Sequence, residues 1–256
     1  ASLWANIVKV GRYFHQQGLK PGQRVALLME NSPEFVACYY GVIAVGGVVV
    51  PLNPAEKPHM HRHIMGHCEV SYLIADSAYG ELSPLATQLS DDCGIILFGG
   101  LNKMLPDVSL LLEDVLTTEV DISGFEIEIN SPTQLAAITY TSGTTAKPKG
   151  VMLSHKNLLQ NTLSIVECLS LTSTDCIVNV LPFNYSYGNS VLHTHLLVGG
   201  RIVLENSFLY PKKVLERMEK EQITGFSGVP STYALMLDRL SLGEAKLQSL
   251  RYLTQA

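Results

Sequence analysis

The sequence predicts an α/β fold in which helices cover mostly parallel β-sheets. Short runs rich in valine and isoleucine, such as Val48–Val50, alternate with stretches whose apolar residues recur at helical spacing. The strand-like runs are apolar at consecutive positions, as expected for strands buried on both faces of a parallel sheet. Because strand–helix–strand alternation is typical of layered α/β folds, ligands are expected at the carboxyl ends of the strands.

Helices are predicted from apolar periodicity and from residues that start or end a helix. Ser32 supplies a capping hydroxyl, Pro33 fits the first turn, and Glu34 favours the positive end of the helix that follows. In chain order, the predicted helices are Leu3–Gln17, the helix that begins at Ser32, His59–His67, Ser154 to about Cys168, Gly188–Leu197, Pro211–Lys220 and Ser231–Leu240.

Strands are predicted where short apolar runs are bounded by glycine, proline or polar residues. They are Gln23–Met29, Val48–Val50, Tyr72–Ala75, Gly94–Phe98, Leu135–Thr139, Ile177–Leu181, Arg201–Leu204 and Gly225–Gly228. The pair Gly46-Gly47 interrupts the apolar stretch Phe35–Leu52, so a helix, a turn and a strand are predicted there and no membrane span. The acidic, irregular stretch Asn102–Pro132 is predicted to be a peripheral excursion.

The composition indicates a globular protein and disfavours a nucleic-acid partner. The chain has 256 residues, of which 46% are hydrophobic and 16% charged, so it can bury a substantial core. Its formal net charge is −5, without the clustered lysine and arginine of a nucleic-acid surface. The five cysteines are scattered and form no Cys-x-x-Cys pair, so we expect free thiols and a reducing, cytoplasmic location.

The segment Tyr140–Gly150 is the strongest candidate for a functional site. It combines short hydroxyl side chains, lysines and glycines directly after the apolar run Leu135–Ile138. Backbone N–H groups in a glycine-containing turn can surround an anion, and lysine adds positive charge, so the segment predicts a polyphosphate site. A polar surface turn is the alternative, since turns favour the same residues. A Walker A loop is excluded, because no Lys-Ser or Lys-Thr pair follows Gly150.

The residue order in this segment resembles the phosphate-binding loop of the adenylate-forming superfamily, which includes acyl- and aryl-CoA synthetases, nonribosomal peptide adenylation domains and luciferases. The resemblance implies ATP and Mg²⁺ as cofactors, a small carboxylic acid as substrate, and CoA or a carrier-protein phosphopantetheine as acceptor. Ala146 stands where the superfamily usually has glycine, which strains the loop if that position needs a positive φ. Nucleotide binding is assigned by resemblance to Thr141, Ser142, Gly143, Thr144, Thr145, Lys147, Lys149 and Gly150.

Further stretches resemble the same superfamily along almost the whole chain. They are Pro21–Val25, Asn31–Phe35, Val42–Pro54, Leu153–Leu158, Leu181–Gly188 and Gly225–Tyr233. In Leu153–Leu158, Ser154 is expected to cap a helix, with His155 and Lys156 on the surface.

The last two of these stretches imply where the acid binds. Many CoA ligases have an aromatic residue and a histidine where this chain has Asn184-Tyr185. Amino-acid-activating members often have an aspartate nearby, whereas no acidic residue lies between Asp175 and Glu205. Since an unpaired buried ammonium group is costly, a carboxylic acid with an uncharged tail is favoured over an α-amino acid. The residues assigned to the substrate, some of which fit core packing almost as well, are Tyr185, Ser227, Gly228, Val229 and Pro230.

The resemblance also predicts the domain organisation. Residues 1–256 are expected to be the N-terminal portion of an AMP-binding domain, with lobes at 21–170 and 171–256 and residues 1–20 packed on the second lobe. The superfamily's Thr-Glu motif, ribose-binding aspartate, hinge and C-terminal lysine are not found in this sequence. The C-terminal domain is thus taken as absent, no catalytic residue is assigned, and the chain alone is expected not to complete a turnover.

Two other functions stay open at this point. A non-catalytic module of the same fold could hold a nucleotide or an acyl group without reacting, and Ala146 is the local indication for it. An unrelated phosphate-binding α/β enzyme is the third possibility, and the missing Walker A pattern argues against it.

A concentration of histidines raises the question of a metal. His59, His63 and His67 share one face of a predicted helix, at a spacing that can bind zinc or nickel, and His61 lies between them. A solvated helix face is the simpler interpretation, and no metal site is assigned.

Overall fold

The computed structural model describes residues 2–86, 93–100, 110–129, 131–141, 148–240 and 245–256. The chain divides into two compact units, Ala1–Lys156 and Asn157–Ala256, each with its own β-sheet. Helices alternate with mostly parallel strands in both units. The predicted α/β class is therefore confirmed.

The first unit is built around a six-stranded sheet. Its strands are β1 (Arg24–Leu28), β2 (Val48–Pro51), β3 (Val70–Asp76), β4 (Gly94–Phe98), β5 (Leu135–Thr141) and β6 (Lys149–Ser154). Its helices are α1 (Leu3–Gln16), α2 (Pro33–Ala44), α3 (Pro58–His67), α4 (Leu82–Ala86) and α5 (Leu112–Thr117). The strand order is β4-β3-β1-β2-β5-β6, and only the pair β5–β6 is antiparallel.

Local sequence signals explain how this sheet is entered. The Ser32 hydroxyl accepts a hydrogen bond from the Phe35 N–H at 3.0 Å, as predicted for the start of α2. Gly46 has φ = +77°, which lets the chain turn from α2 directly into β2. All four residues of β2 are buried, because this strand lies in the middle of the sheet under helices.

The position of α1 corrects the predicted domain organisation. Its buried residues, which include Val8 and Phe14, lie on a helix that packs against α2 and α5 inside the first unit. Helix α1 thus belongs to the first unit, whereas residues 1–20 were expected to pack on the second lobe. The physical reason is that α2 is apolar along nearly its whole length and offers α1 a surface to bury. The boundary falls after Lys156, and not near residue 170.

The second unit contains a four-stranded sheet whose neighbouring strands are all parallel. Its strands are β7 (Cys176–Asn179), β8 (Arg201–Leu204), β9 (Gly225–Gly228) and β10 (Tyr252–Gln255), in the order β10-β9-β7-β8. Helices α7 (Ser186–Val198), α8 (Pro211–Lys220) and α9 (Pro230–Arg239) belong to this unit, and α6 (His155–Leu169) begins at the boundary.

The sequence did not predict four of these elements: β6, β10, α4 and α5. Among the residues that the structure describes, no helix combines the length and the hydrophobicity needed to span a membrane. All five cysteines are free.

Candidate functional site

The predicted phosphate loop is the connection of a β-hairpin. Strand β5 continues to Thr141 and β6 starts at Lys149, and these two residues are opposite each other in the antiparallel register. The sequence predicted that this strand ends at Thr139, so β5 extends two residues further into the segment than expected. Of the assigned residues, the structure describes Thr141, Lys149 and Gly150, while Ser142, Gly143, Thr144, Thr145 and Lys147 lie outside the described residues, as does Ala146.

The described part of the loop presents polar groups to solvent. Both Thr141 and Lys149 are exposed, so a hydroxyl and an ammonium group stand at the mouth of the hairpin. Strand β5 is parallel to β2, which places Thr141 at the carboxyl end of a parallel strand. In open α/β sheets this is the end at which ligands bind. The donor set fits a phosphate chain, since it combines a cation with a short hydroxyl.

Gly150 has a packing reason to be glycine. A Cβ atom at this position would meet Ile138 Cγ2 at 2.9 Å and Tyr140 Cζ at 3.1 Å. Both distances are below ordinary van der Waals contact, so a larger side chain would push the β5 side chains away. Glycine at the end of the motif therefore leaves the space that the Ile138 and Tyr140 side chains of β5 occupy.

Tyr140 is fixed at its hydroxyl by residues of α3 and the position that follows it. The hydroxyl is 2.5 Å from His67 Nδ1 and 3.2 Å from Cys68 Sγ. Burial, then the hydrogen bond with Cys68, raises the pKa of Tyr140, so its hydroxyl stays neutral at physiological pH. Burial likewise raises the pKa of the Cys68 thiol. The sequence analysis did not assign a role to these contacts.

The histidines of α3 differ in burial, and the His63 and His67 rings are stacked with centroids 6.0 Å apart. His61 is buried, with Nε2 at 2.8 Å from the Asn53 carbonyl and Nδ1 at 3.1 Å from the Tyr79 hydroxyl. Burial lowers the pKa of His61, which favours the neutral ring. His59 and His67 are exposed. Within the described ranges, no group of three or more His, Cys, Asp or Glu side chains could hold a metal ion.

The residues assigned to the acid lie at one edge of the second unit's sheet. Tyr185 follows β7 and immediately precedes α7, whereas Val229 and Pro230 follow β9. Because β7 and β9 are parallel neighbours, both connections leave the sheet at the same edge. Tyr185 and Val229 are exposed there, with 44% and 38% of their surface accessible.

Ser227 and Gly228 are buried, and the Ser227 hydroxyl belongs to a network. It lies 2.7 Å from Thr254 Oγ1, which is also 2.7 Å from the Tyr187 hydroxyl. Tyr233 donates to the Thr254 carbonyl at 2.7 Å. Thr254 is in β10, so its part in this site depended on a strand that the sequence analysis missed. Tyr187 also packs on the apolar cluster that contains Ile177.

At the opposite end of the same strands, the buried carboxylate of Asp175 pairs with the half-exposed Arg251. Arg251 Nη2 donates to both Asp175 oxygens at 2.8 Å, and the Thr224 hydroxyl donates to Oδ1 at 2.7 Å. The Thr172 N–H donates to Oδ2 at 2.8 Å. Burial alone would raise the pKa of Asp175, but the hydrogen bonds from Arg251, Thr224 and Thr172 outweigh it, and the pKa is lowered.

Layered parallel sheets flanked by helices, with a lysine- and hydroxyl-bearing hairpin at a strand end, define the architecture of an adenylate-forming N-terminal domain. The AMP-binding enzyme family matches residues 1–256, and the chain belongs to that family.

Relatives of two kinds are similar to this chain. A long-chain-fatty-acid–CoA ligase of Bacillus subtilis is 27% identical and aligns with 95% of this chain and 48% of its own length. A mycosubtilin synthase polypeptide of Bacillus subtilis is 26% identical over 95% of this chain, which is 9% of that protein. The chain therefore spans about half the length of this ligase and a small part of the synthase.

Solved structures agree with the fold. ATP-bound MatB from Rhodopseudomonas palustris superposes with a TM-score of 0.84 at 28% identity, over 100% of this chain and 48% of MatB. A luciferase-like enzyme from the mealworm Zophobas morio has a TM-score of 0.86 at 20% identity, over 99% of this chain and 58% of that enzyme, and it supports the fold alone.

Proposed function

We propose that this protein is an ATP-dependent acid–thiol ligase that activates a carboxylic acid as its acyl-adenylate. The observation that carries the proposal is the β5–β6 hairpin, which presents Thr141 and Lys149 at a ligand-binding strand end in a chain of the AMP-binding enzyme family. A further support is that the similar MatB structure is described as ATP-bound.

In the first half-reaction, a carboxylate oxygen attacks the α-phosphorus of ATP and the bond to the β-phosphate oxygen breaks. Pyrophosphate leaves, and the acid is held as a mixed anhydride with AMP. Charge builds on the leaving pyrophosphate, so preorganised cations and N–H groups around it lower the barrier. We assign this task to Lys149, Thr141 and Gly150, together with Ser142, Gly143, Thr144, Thr145 and Lys147. Mg²⁺, when bound, would neutralise part of the charge on the phosphates.

In the second half-reaction, a thiol replaces AMP at the acyl carbon and a thioester forms. We propose CoA or a carrier-protein phosphopantetheine as the acceptor. Both classes are kept because one relative is a CoA ligase and another is a mycosubtilin synthase. The five free cysteines support the cytoplasmic location that we propose for the protein.

The charges of the second unit favour an acid with an uncharged tail. The buried carboxylates among its described residues are Asp175 and Glu205. Asp175 is paired with Arg251 at 2.8 Å, and Glu205 with Lys213 at 3.3 Å. Neither is left to hold the ammonium group of an α-amino acid, which would need a counter-charge if buried. We propose that the tail lies along Tyr185, Ser227, Gly228, Val229 and Pro230.

A panel of carboxylic acids tests the proposal, with the protein produced from its complete coding sequence. Acid-dependent pyrophosphate release is expected with aliphatic or aromatic acids and not with free α-amino acids. Thioester formation is then measured with CoA and with a phosphopantetheinylated carrier protein. Absence of acid-dependent release across the whole panel, combined with no binding of a nonhydrolysable ATP analogue, would contradict the proposal.

Binding of the analogue without any pyrophosphate exchange would instead assign the alternative, a non-catalytic nucleotide-binding module. In that case Ala146→Gly is the informative variant, because glycine at this position is usual in the superfamily.

A further inference from the structure

Tyr140 occupies the position at which the hairpin opens into the loop. It is the residue before Thr141 in β5, and its partner in the antiparallel register is Gly150. Thr141 and Lys149 are the last pair of the ladder beyond it. If the pairing of Tyr140 with Gly150 slipped by one residue, the side chains of that strand would turn to the other face of the sheet. The contacts that fix Tyr140 therefore also fix the direction of the side chains at the Thr141–Lys149 pair.

Two kinds of contact hold Tyr140. Its ring lies against Gly150, where the absent Cβ leaves the space that the ring fills. Its hydroxyl is bound by His67 Nδ1 at 2.5 Å and by Cys68 Sγ at 3.2 Å. A neutral phenol has one proton, so the hydroxyl donates to one of these groups and accepts from the other. The His67 and Tyr140 rings also meet edge to face, with centroids 6.0 Å apart.

These contacts join the hairpin to a part of the first unit that carries none of the loop residues. His67 is the last residue of α3 and Cys68 directly follows it. Cys68 is buried and belongs to the hydrophobic core, together with Ile138 of β5. The Tyr140 hydroxyl is thus fixed to the core by Cys68 and to the surface of α3 by His67.

We propose that Tyr140 is a positioning residue for nucleotide binding, held by His67 and Cys68, and that it sets the direction in which Thr141 and Lys149 meet the phosphate chain. This inference rests on the proposed function. It also gives His67 a role that does not involve a metal.

The first test is Tyr140→Phe, which removes the hydroxyl and keeps the ring against Gly150. One lost hydrogen bond corresponds to a change of about three- to tenfold. We expect the KM for ATP in pyrophosphate exchange to rise by this factor and kcat to fall as well, because the loop binds the phosphates in the ground state and stabilises the additional charge that develops in the transition state. The Kd of a nonhydrolysable ATP analogue should rise in parallel.

His67 supplies the second test and its matched controls. His67→Ala is expected to raise the KM for ATP as Tyr140→Phe does, and the exposed position of His67 makes loss of folding a minor concern. His67→Asn places an amide group near the position of Nδ1 and should restore most of the wild-type KM. His59→Ala, an exposed histidine two turns earlier on α3, should leave the KM unchanged.

Amide hydrogen exchange in the presence and absence of the ATP analogue provides a readout that does not depend on turnover. In Tyr140→Phe, peptides covering residues 138–152 should exchange faster than in the wild type, and they should be unaffected in His59→Ala.

Three outcomes would overturn the inference. A wild-type protein that neither binds the analogue nor exchanges pyrophosphate would overturn the proposed function as well. An active wild type whose Tyr140→Phe and His67→Ala variants keep the wild-type KM would overturn the inference alone. A fall in melting temperature with unchanged KM, kcat and Kd of the analogue would show that Tyr140 is merely structural.

Discussion

Two hydrogen-bonded clusters differ in their position on the strands, one at the amino ends and the other at a carboxyl end. In the second unit, Asp175, Thr224 and Arg251 immediately precede β7, β9 and β10, and the Asp175 carboxylate joins all three strand starts. In the first unit, Tyr140 lies at the carboxyl end of β5 and is bound by His67 and Cys68. Asp175 is 2% exposed, whereas the residue after Tyr140, Thr141, is open to solvent.

The difference shows how the two ends of a parallel sheet are used. At the amino ends, a buried charge has all its partners within the fold, so its contribution is to stability. At the carboxyl end of β5, the hydroxyl of the half-buried Tyr140 is bound by His67 and Cys68, and the next ladder pair, Thr141 and Lys149, is exposed. Substitutions in the Asp175 cluster should therefore change the free energy of unfolding, and substitutions around the hairpin should change nucleotide binding and turnover.

The largest effect is expected from Lys149→Ala. Removing one preorganised group that stabilises developing charge lowers turnover by about 10²–10³-fold. Pyrophosphate exchange should fall by this factor, while the free energy of unfolding changes by less than about 0.5 kcal/mol, since Lys149 is exposed. Lys20→Ala, an exposed lysine in a turn of the same unit, is the control and should keep full activity. If Lys149→Ala kept the wild-type rate of pyrophosphate exchange, the assignment of the hairpin to nucleotide use would be wrong.

Arg251→Ala tests the other cluster. It removes the cation beside the buried Asp175 carboxylate. Because the Arg251 side chain is half exposed and two threonine groups still donate to Asp175, the loss costs about 1–3 kcal/mol. Urea unfolding should show the loss.

Arg239→Ala is the matched control, because its partner Asp238 is exposed and such pairs contribute about 0–1 kcal/mol. A loss in Arg251→Ala no greater than that in Arg239→Ala would show that the Asp175–Arg251 pair does not stabilise the amino end of this sheet.

Gly150→Ala sharpens the comparison by changing the packing beneath the loop. The added Cβ meets Ile138 and Tyr140 at about 3 Å, and overpacking of this kind destabilises by about 1–3 kcal/mol. Gly66→Ala is a control of opposite sign, because a Cβ at that position in α3 has open space and alanine is favoured over glycine in helices by about 0.5–1 kcal/mol. If Gly150→Ala were also stabilising, the close approach would not be what restricts this position to glycine.

The sequence predicted much of this architecture because most elements carry local signals. Strands β4, β8 and β9 and helix α8 have the predicted bounds, since each is a short apolar or amphipathic run between glycine, proline or polar residues. Strand β10 was missed because it is an edge strand in which half-buried and exposed residues alternate over only four positions. Strand β6 was missed because its residues are largely exposed and its strand character comes from pairing with β5.

The sequence located only the part of the candidate site that a continuous motif identifies. The loop was located from its motif, and its assigned residues stay proposals. The fixation of Tyr140 could not be predicted in this way, because His67 is 73 positions away from Tyr140 along the chain. Likewise, the role of Thr254 beside Ser227 depends on two parallel strands that meet only in the folded unit.

The smallest expected effect is on the pH dependence of the unfolding free energy. It distinguishes the charged cluster around Asp175 from the neutral one around Tyr140. Because the pKa of Asp175 is lower in the folded state, its charge stabilises the fold above the unfolded pKa of about 3.9. This contribution is lost as the pH falls through the folded-state pKa. The difference in unfolding free energy between wild type and Asp175→Asn should therefore be constant from about pH 7 to 5 and shrink below about pH 4.

Asp238→Asn, an exposed pair member, is the control for this titration and should show little difference at any pH. A wild-type advantage over Asp175→Asn that grew in acid would mean that the folded state binds the proton more tightly than the unfolded chain. The Asp175 carboxylate would then be a buried charge that its partners do not compensate. The cluster at the amino ends of β7, β9 and β10 would then not stabilise the fold through its charge, and the contrast with the hairpin would be wrong.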